Sequence, residues 1–515
     1  MDQLALIFLL AVGAVAFVPV GKRFGVPAPV LMTLGGIVLA LLPFVPNVAI
    51  PPDFILPLVL PPLLHAAVQR TSWRQFRDNA RPILMLAVAL VFVTTAAVAW
   101  TAHHIIPGLP VAAAVALGAL VAPPDPVAAT SVAGTLGLPR RMVSILEGEG
   151  LFNDVTAIVI YHVAVVAAMT GEFSWAKAGG DFVLSAVVAV VVGAGLGWLT
   201  QRFMNWLGEP TLQTALSLLV PFLSYTLADE LHGSGVLAVL ATALFLSERG
   251  SDPDDVQGRV IGASFWEVID TLVTGIAFGV IGLELATVLR SLDGDDPWEL
   301  LRHGLVVTLV VILVRLVWML PVSWLSRWLH RRSGNEDEDL PTTWQETMVV
   351  FWSGMRGVAT IALALALPLK FPGRDAILVT AFTVIIITLV VQGFTLPWVV
   401  KVLDVRKDAE AETRQEDELR GRARTVARHR LRELMDQIDM PDEAARILYG
   451  RFGRWADGSR MDEKQRLALR RTVRKVQDEV NSAARHEILG ARSEPGVDPE
   501  IADRVLRELD LRGLH

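Results

Sequence analysis

The chain has 515 residues, 53% of them hydrophobic and 19% charged, with a mean hydropathy of +0.48 and a formal net charge of −7. That apolarity excludes an ordinary soluble protein, and its repeated long apolar runs read as a polytopic membrane protein. The absence of cysteine excludes a disulfide framework and a thiolate metal site, and no phosphate loop is present to support ATP-driven pumping.

The first apolar run does not read as a secretory leader. Asp2 stands where a basic segment is usual, and Lys22 and Arg23 follow the run instead of preceding it, so a retained span is expected. Against the roughly 20 residues that a crossing needs, the chain divides into thirteen expected spans at 3–20, 28–44, 53–69, 82–102, 111–135, 142–169, 181–203, 212–229, 234–248, 265–287, 300–328, 342–369 and 376–400. Basic residues between spans alternate in density. One side receives Lys22, Arg23, Arg70, Arg74, Arg77, Arg81, Arg140, Arg141, Arg202, Arg249, Arg259, Arg327, Arg331 and Arg332; the other receives Lys177, Arg290, Arg302, Lys370 and Arg374. The positive-inside rule makes the first side cytoplasmic, which places the N-terminus outside and the C-terminus inside.

Thirteen spans divide as six, a linking span and six, which inverts the second half relative to the first, the design of secondary transporters. Matching spans of the two halves are both interrupted: span five by Ala122-Pro123-Pro124-Asp125-Pro126, span twelve by Ser353-Gly354-Met355-Arg356-Gly357. The prolines lack N–H groups, which frees carbonyls one turn earlier, near Ala119, Leu120 and Ala122, to meet a cation or water. Asp125 before Pro126 reads as a helix cap in mid-membrane, and capping and direct ion contact are both open to it.

Span six carries Glu149-Gly150-Leu151-Phe152-Asn153-Asp154 into an apolar segment. At about 100° per residue, Glu149 and Asn153 share a face, and Asp154 is turned about 140° from Glu149. Glu149 and Asn153 are expected to meet a neighbouring helix and Asp154 a cavity, where it could hold either a proton or a monovalent cation; the alternative is a loop carboxylate ending a shorter span. Oxygens from Asp154 and the broken helix suit a hard cation. Arg315, in mid-span eleven, needs a carboxylate; Glu149 is the expected partner, with Asn153 completing the hydrogen bonds. Arg356 at the second break could offset a half-helix end or the carboxylates, or simply lie in a loop. For His65 a satisfied interior role is expected, and for Glu267, Asp270 and Glu284 an interface or vestibule role. Residues 404–515 read as a cytoplasmic helical appendage, with a turn at Ser493-Glu494-Pro495-Gly496.

These segments, with Pro61-Pro62, Asp125-Pro126-Val127-Ala128, Phe265-Trp266-Glu267, Ile281-Gly282-Leu283-Glu284 and Gly354-Met355-Arg356-Gly357, resemble the monovalent cation/proton antiporters of the bacterial sodium/proton exchanger type. The resemblance covers most of residues 1–400 in family order. It implies a homodimer and an antiporter domain over 1–403, with a mobile core of spans four to six and eleven to thirteen and a dimerisation part of the remaining spans. It also implies Asp154 as the essential ion carboxylate, Asp125 in the broken helix, and a stabilising network of Glu149, Asn153 and Arg315. The Asn153-Asp154 pair resembles the electroneutral members. Two positions depart from the pattern: Pro124 where many members have Thr, and Gly150 where many have Ser, which leaves two side-chain oxygens missing.

The expectation is therefore an all-α membrane antiporter exchanging Na⁺, or Li⁺ or K⁺, for H⁺, serving pH homeostasis in the cell membrane. Asp154, Asp125 and Asn153 would form the ion site, Glu149, Arg315 and Arg356 the stabilising network, and Pro123, Pro124, Pro126, Gly354 and Gly357 the two breaks. No cofactor, enzymatic activity or nucleic-acid partner is expected; the contacts are transported ions, lipid and a second copy. The alternative is a gated cation channel or ion sensor with the tail as gate.

Overall fold

Proline placement and apolar run length set the helix boundaries in this chain. The computed structural model describes residues 3–42, 52–70, 84–171, 175–249, 256–290, 297–333, 343–405, 409–437, 463–492, 494 and 496–513, and among these helix and turn account for all regular structure. The chain forms two compact units, Met1–Arg249 with Ser264–Lys407, and Gly250–Ala263 with Asp408–His515.

The first unit contains α1 (Gln3–Phe24), α2 (Ala28–Ala40), α3 (Pro52–Arg70), α4 (Leu90–Ile105), α5 (Val111–Val121), α6 (Val127–Leu136), α7 (Arg140–Thr170), α8 (Trp175–Leu207), α9 (Pro210–Glu230), α10 (Gly235–Arg249), most of α11 (Val256–Arg290), α12 (Pro297–Ser333), α13 (Trp344–Trp352), α14 (Val358–Leu365), α15 (Arg374–Ile386) and α16 (Gly393–Val402). Among the described residues, eight helices are long and apolar enough to cross a membrane, and four shorter apolar helices accompany them. The shortfall from thirteen full-length spans has a local cause. Spans two, three and nine are short, and spans five and twelve are each split in two, as α5–α6 and α13–α14.

Burial sorts these helices. Ala113, Ala114, Ala116, Leu117, Ala119, Leu120 and Val121 of α5 are fully buried, so this half-helix is surrounded by protein. Its small side chains permit that: a Cβ on Gly118 would meet the Thr95 backbone of α4. By contrast, Val187, Val191 and Trp198 of α8 and Leu309, Leu313 and Val317 of α12 are open, an apolar surface suited to lipid and not to water. The α2–α11 crossing is equally close, with Gly36 against Gly279 and Gly282 and the Thr33 hydroxyl donating to the Phe278 carbonyl at 3.2 Å.

The second unit packs α17 (Ala409–Gln437), α18 (Glu463–Ala491) and α19 (Pro499–Gly513). Leu419, Ala423, Ala427 and Leu431 recur every four residues on α17, as do Val476, Val480, Ala484 and Ile488 on α18, and these stripes close over Ile501, Ala502, Val505 and Leu506 of α19. Partly exposed ion pairs lace the surface, among them Arg420–Glu508 (2.7 Å), Arg422–Glu494 (2.6 Å) and Arg430–Glu479 (2.9 Å), and solvent screening keeps each of them weak. Of the expected turn near 494, Gly496 has φ +80; Ser493 and Pro495, like Arg74, Arg77 and Arg81, lie outside the described residues.

Candidate ion site

The two interrupted spans meet at their breaks. The Asp125 N–H donates to the Met355 carbonyl at 2.7 Å, which joins one break to the other through backbone alone. Each break ends one helix and starts another, leaving two carbonyl ends and two N–H ends inside the protein. Unsatisfied, such ends are costly.

Three charged side chains satisfy them. Asp125 takes both N–H ends: Oδ1 accepts from Val127 N at 2.8 Å, starting α6, and Oδ2 accepts from Val358 N at 3.1 Å, starting α14. The capping expected from Asp125-Pro126 is present, and it is doubled, because the second helix it caps lies 233 residues away. Arg356 takes the carbonyl end of α5, with Nε donating to Val121 O at 3.0 Å and Nη2 to Ala122 O at 3.2 Å, while Nη1 contacts Gly354 O. Of the three roles open to Arg356, the geometry selects the half-helix end, and the loop reading is overturned by its burial to 2% exposure. It follows that the Ala122 carbonyl, expected to be free for a cation, is engaged by the guanidinium. Arg315 takes the end of α13 in the same manner, with Nε to Phe351 O (3.3 Å) and Nη2 to Val350 O (3.1 Å). Each half-helix end thus meets the charge that its partial dipole favours.

Arg315 also pairs with Glu149 bidentately, Nη1 to Oε1 at 2.5 Å and Nη2 to Oε2 at 2.9 Å, with both residues buried. This is the partner expected from sequence. Asn153, however, does not join that pair. Its Nδ2 donates to the Pro124 carbonyl at 2.7 Å, and its buried Oδ1 has no hydrogen-bond partner. Asn153 sits one helical turn beyond Glu149, which carries its short amide past the guanidinium and onto the proline break. Pro124, lacking the Thr hydroxyl of many relatives in the resemblance, thereby supplies a backbone oxygen to α7.

Asp154 is half-buried on α7 and lies within electrostatic reach of Asp125. Among the described residues no hydrogen bond or ion pair engages its carboxylate, whereas Asp125 and Glu149 are both committed to donors. The arrangement therefore offers one uncommitted carboxylate beside a capped pair of helix N-termini.

The glycines at the site are there for space. A Cβ on Gly357 would fall on the Asp125 carboxylate, and one on Gly354 would fall on the Arg315 guanidinium. At Gly150 a Cβ would overlap the Pro126 ring, which accounts for one of the two departures noted in the sequence. Gly150→Ser is expected to overpack this contact, costing about 1–3 kcal/mol, and to lower the thermal unfolding midpoint in detergent without tightening cation binding. Asp270, assigned only a vestibule or interface role from sequence, lies within electrostatic reach of Asp125. Its signal was its place on α11, one turn after Trp266, whose indole donates to Ser217 Oγ (3.1 Å) and packs on His65 (4.4 Å) inside the protein.

The described residues form a helical membrane protein in which two interrupted helices meet at their breaks, with charged side chains on the helix ends there. Comparison with known proteins gives the family. Residues 7–402 match the model of the transmembrane sodium/hydrogen exchanger family. A Mycobacterium tuberculosis protein named as an uncharacterised Na⁺/H⁺ exchanger is 31% identical over 98% of this chain and 93% of its own length. A Bacillus subtilis sodium, potassium, lithium and rubidium/H⁺ antiporter is 29% identical over 76% of this chain and 61% of its own. Among solved structures, the sodium/proton antiporter MjNhaP1 of Methanocaldococcus jannaschii shares the fold, with a TM-score of 0.58 at 17% identity over 78% of this chain and 98% of that one. The chain belongs to the sodium/hydrogen exchanger family, a family of transporters and not of enzymes.

Proposed function

We propose that the protein exchanges Na⁺ for H⁺ across the cell membrane by alternating access, one monovalent cation for one proton, as a homodimer with its C-terminus in the cytoplasm. Thirteen crossings fit this reading, with split spans five and twelve at the core and Asp154 as the carrier. The carrying observation is the uncommitted Asp154 carboxylate beside an Asp125 whose two oxygens each accept one backbone N–H in capping a helix. One uncommitted carboxylate holds one proton or one monovalent cation, so the two ligands displace each other and their flows are coupled. Asp125 and the Asn153 Oδ1 stand ready to complete the coordination of a hard cation with water. Glu149, Arg315 and Arg356 hold the broken helices and do not carry ions.

The reaction needs no cofactor; the cation is cargo. With two side-chain oxygens absent relative to many members, backbone and water supply more of the coordination. Such a site discriminates weakly among Na⁺, Li⁺ and K⁺, in line with the breadth that the name of the Bacillus relative records.

Exchange in proteoliposomes tests the reading. An imposed Na⁺ gradient is expected to move protons the opposite way, at a rate unchanged by a clamped membrane potential. In the pH range where the site is protonated, each unit fall in pH should raise the half-saturating Na⁺ concentration about tenfold, as one-for-one competition requires. Cation conductance without proton movement would instead identify a channel.

A further inference from the structure

Helices α15 and α16 make up the expected span thirteen, and it is not one continuous α-helix. Between them Ile387–Gln392 form a π-helical turn, a local widening that is rare and recurs at functional sites. The residues around this turn follow the second break. The Arg356 N–H donates to the Thr388 hydroxyl at 3.1 Å. A Cβ on Gly393 would lie 3.5 Å from the Met355 sulfur, and the Trp352 indole donates to the Thr395 hydroxyl at 2.8 Å. Thr388 is fully buried, and counting protons fixes its role. Its one hydroxyl hydrogen goes to the Val384 carbonyl, 2.7 Å away in its own helix, so toward Arg356 the oxygen can only accept.

This bond has a counterpart in the other half of the chain. The six-plus-six division read from the sequence pairs span six with span thirteen, and on span six Asn153 donates to the Pro124 carbonyl of the first break at 2.7 Å. In each half, the span that follows the interrupted one sets an uncharged side chain on the backbone of the break, a donor in the first and an acceptor in the second. At the second break two N–H groups are taken up side by side, that of Arg356 by Thr388 and that of Val358 by Asp125 Oδ2 at 3.1 Å. Without the hydroxyl, the Arg356 N–H is left buried and unsatisfied, a cost that the break relieves by shifting. A shift there carries with it the Val358 N–H on which Asp125 is seated. Asp125 adjoins Pro124, and Pro124 is bonded to Asn153, the neighbour of Asp154. We propose that Thr388 is a positioning residue for the ion site: its hydroxyl holds the Arg356 backbone so that the second break stays seated on Asp125, and the apparent cation affinity of exchange depends on it. This rests on the exchange reading above.

Exchange by the full-length protein in proteoliposomes tests this. Thr388→Val keeps the side-chain shape and removes the acceptor. Its half-saturating Na⁺ concentration at fixed pH is expected to rise at least about fivefold, the ratio that matches the low end of the cost of an unsatisfied buried donor. Thr388→Ser keeps a hydroxyl and should restore the unaltered value. Thr383→Val is the control: that hydroxyl, also buried on α15, donates to the Val379 carbonyl of its own helix at 2.7 Å, and its loss should leave half-saturation unmoved. A merely structural role for Thr388 would lower the amount of folded Thr388→Val protein and so the maximal rate, with half-saturation unchanged. That result, or a Thr388→Ser protein shifted as far as Thr388→Val, overturns the proposal. Should Thr388→Val not fold, Thr388→Cys decides, because a thiol is a weak acceptor: half-saturation above that of Thr388→Ser supports the proposal, and equality overturns it. The unaltered protein separates the two readings. If it exchanges and the variants match it, only the positioning proposal fails, whereas absence of exchange in the unaltered protein removes the functional reading itself and this proposal with it.

Discussion

Reconstituted Asp154→Asn protein is expected to show no Na⁺-driven proton movement above protein-free vesicles, while unfolding at the same temperature as the unaltered protein. The substitution is isosteric, and among the described residues the Asp154 carboxylate holds up no helix end, so the fold loses nothing by it. What is lost is the charge that a proton or a cation must neutralise. Asp125→Asn makes the contrasting case. Its two oxygens accept from Val127 N and Val358 N, and an amide replaces one acceptor with a donor that faces an N–H. One internal helix start is then unsatisfied, at a cost of about 1–3 kcal/mol, so this variant should lose both stability and transport. Thermal unfolding and exchange measured on both variants separate the carrier from the cap. Retained exchange in Asp154→Asn would reject Asp154 as carrier.

Arg315→Ala should be the most destabilising single change at the site. It strips Glu149 of its only bidentate partner among the described residues, takes from the Val350 carbonyl the guanidinium it meets, and leaves the Phe351 carbonyl to backbone N–H groups such as that of Gly354. Removing one member of a buried ion pair costs about 3–5 kcal/mol, chiefly because the other charge remains. The double variant Glu149→Leu/Arg315→Met removes both charges and should lose less than the sum of Glu149→Leu and Arg315→Met taken singly, with a coupling of about 0.5–3 kcal/mol in a double-mutant cycle read from detergent unfolding. A stable, well-expressed Arg315→Ala protein with unaltered exchange would remove the pair from its structural role.

Much of this architecture was legible in the chain. The interruptions at Pro123-Pro124-Asp125-Pro126 and Gly354–Gly357 were visible because proline lacks an N–H and clustered glycine is rare inside a helix. The Glu149–Arg315 pair was visible because a guanidinium in the middle of an apolar run has few affordable environments. Asn153 was misjudged because helical periodicity fixes the face a side chain leaves from, and not which of several neighbours a short amide can reach. Apolar composition likewise records what can be buried in lipid or protein without distinguishing a complete crossing from half of one, which is why eight helices of crossing length among the described residues stand beside thirteen expected spans.

Local covalent properties and the cost of charge in hydrocarbon were enough to read from the chain alone a helical membrane carrier, the two spans that break and the carboxylates that stand inside it. Which partner answers which was settled by packing. Asp125 caps a helix 233 residues away, Arg356 closes the half-helix that Asp125 follows, and Arg259 pairs with Asp510 in the tail unit. Each of these joins residues more than two hundred positions apart, and such pairings are selected by the packing of whole helices, which no local pattern of residues encodes.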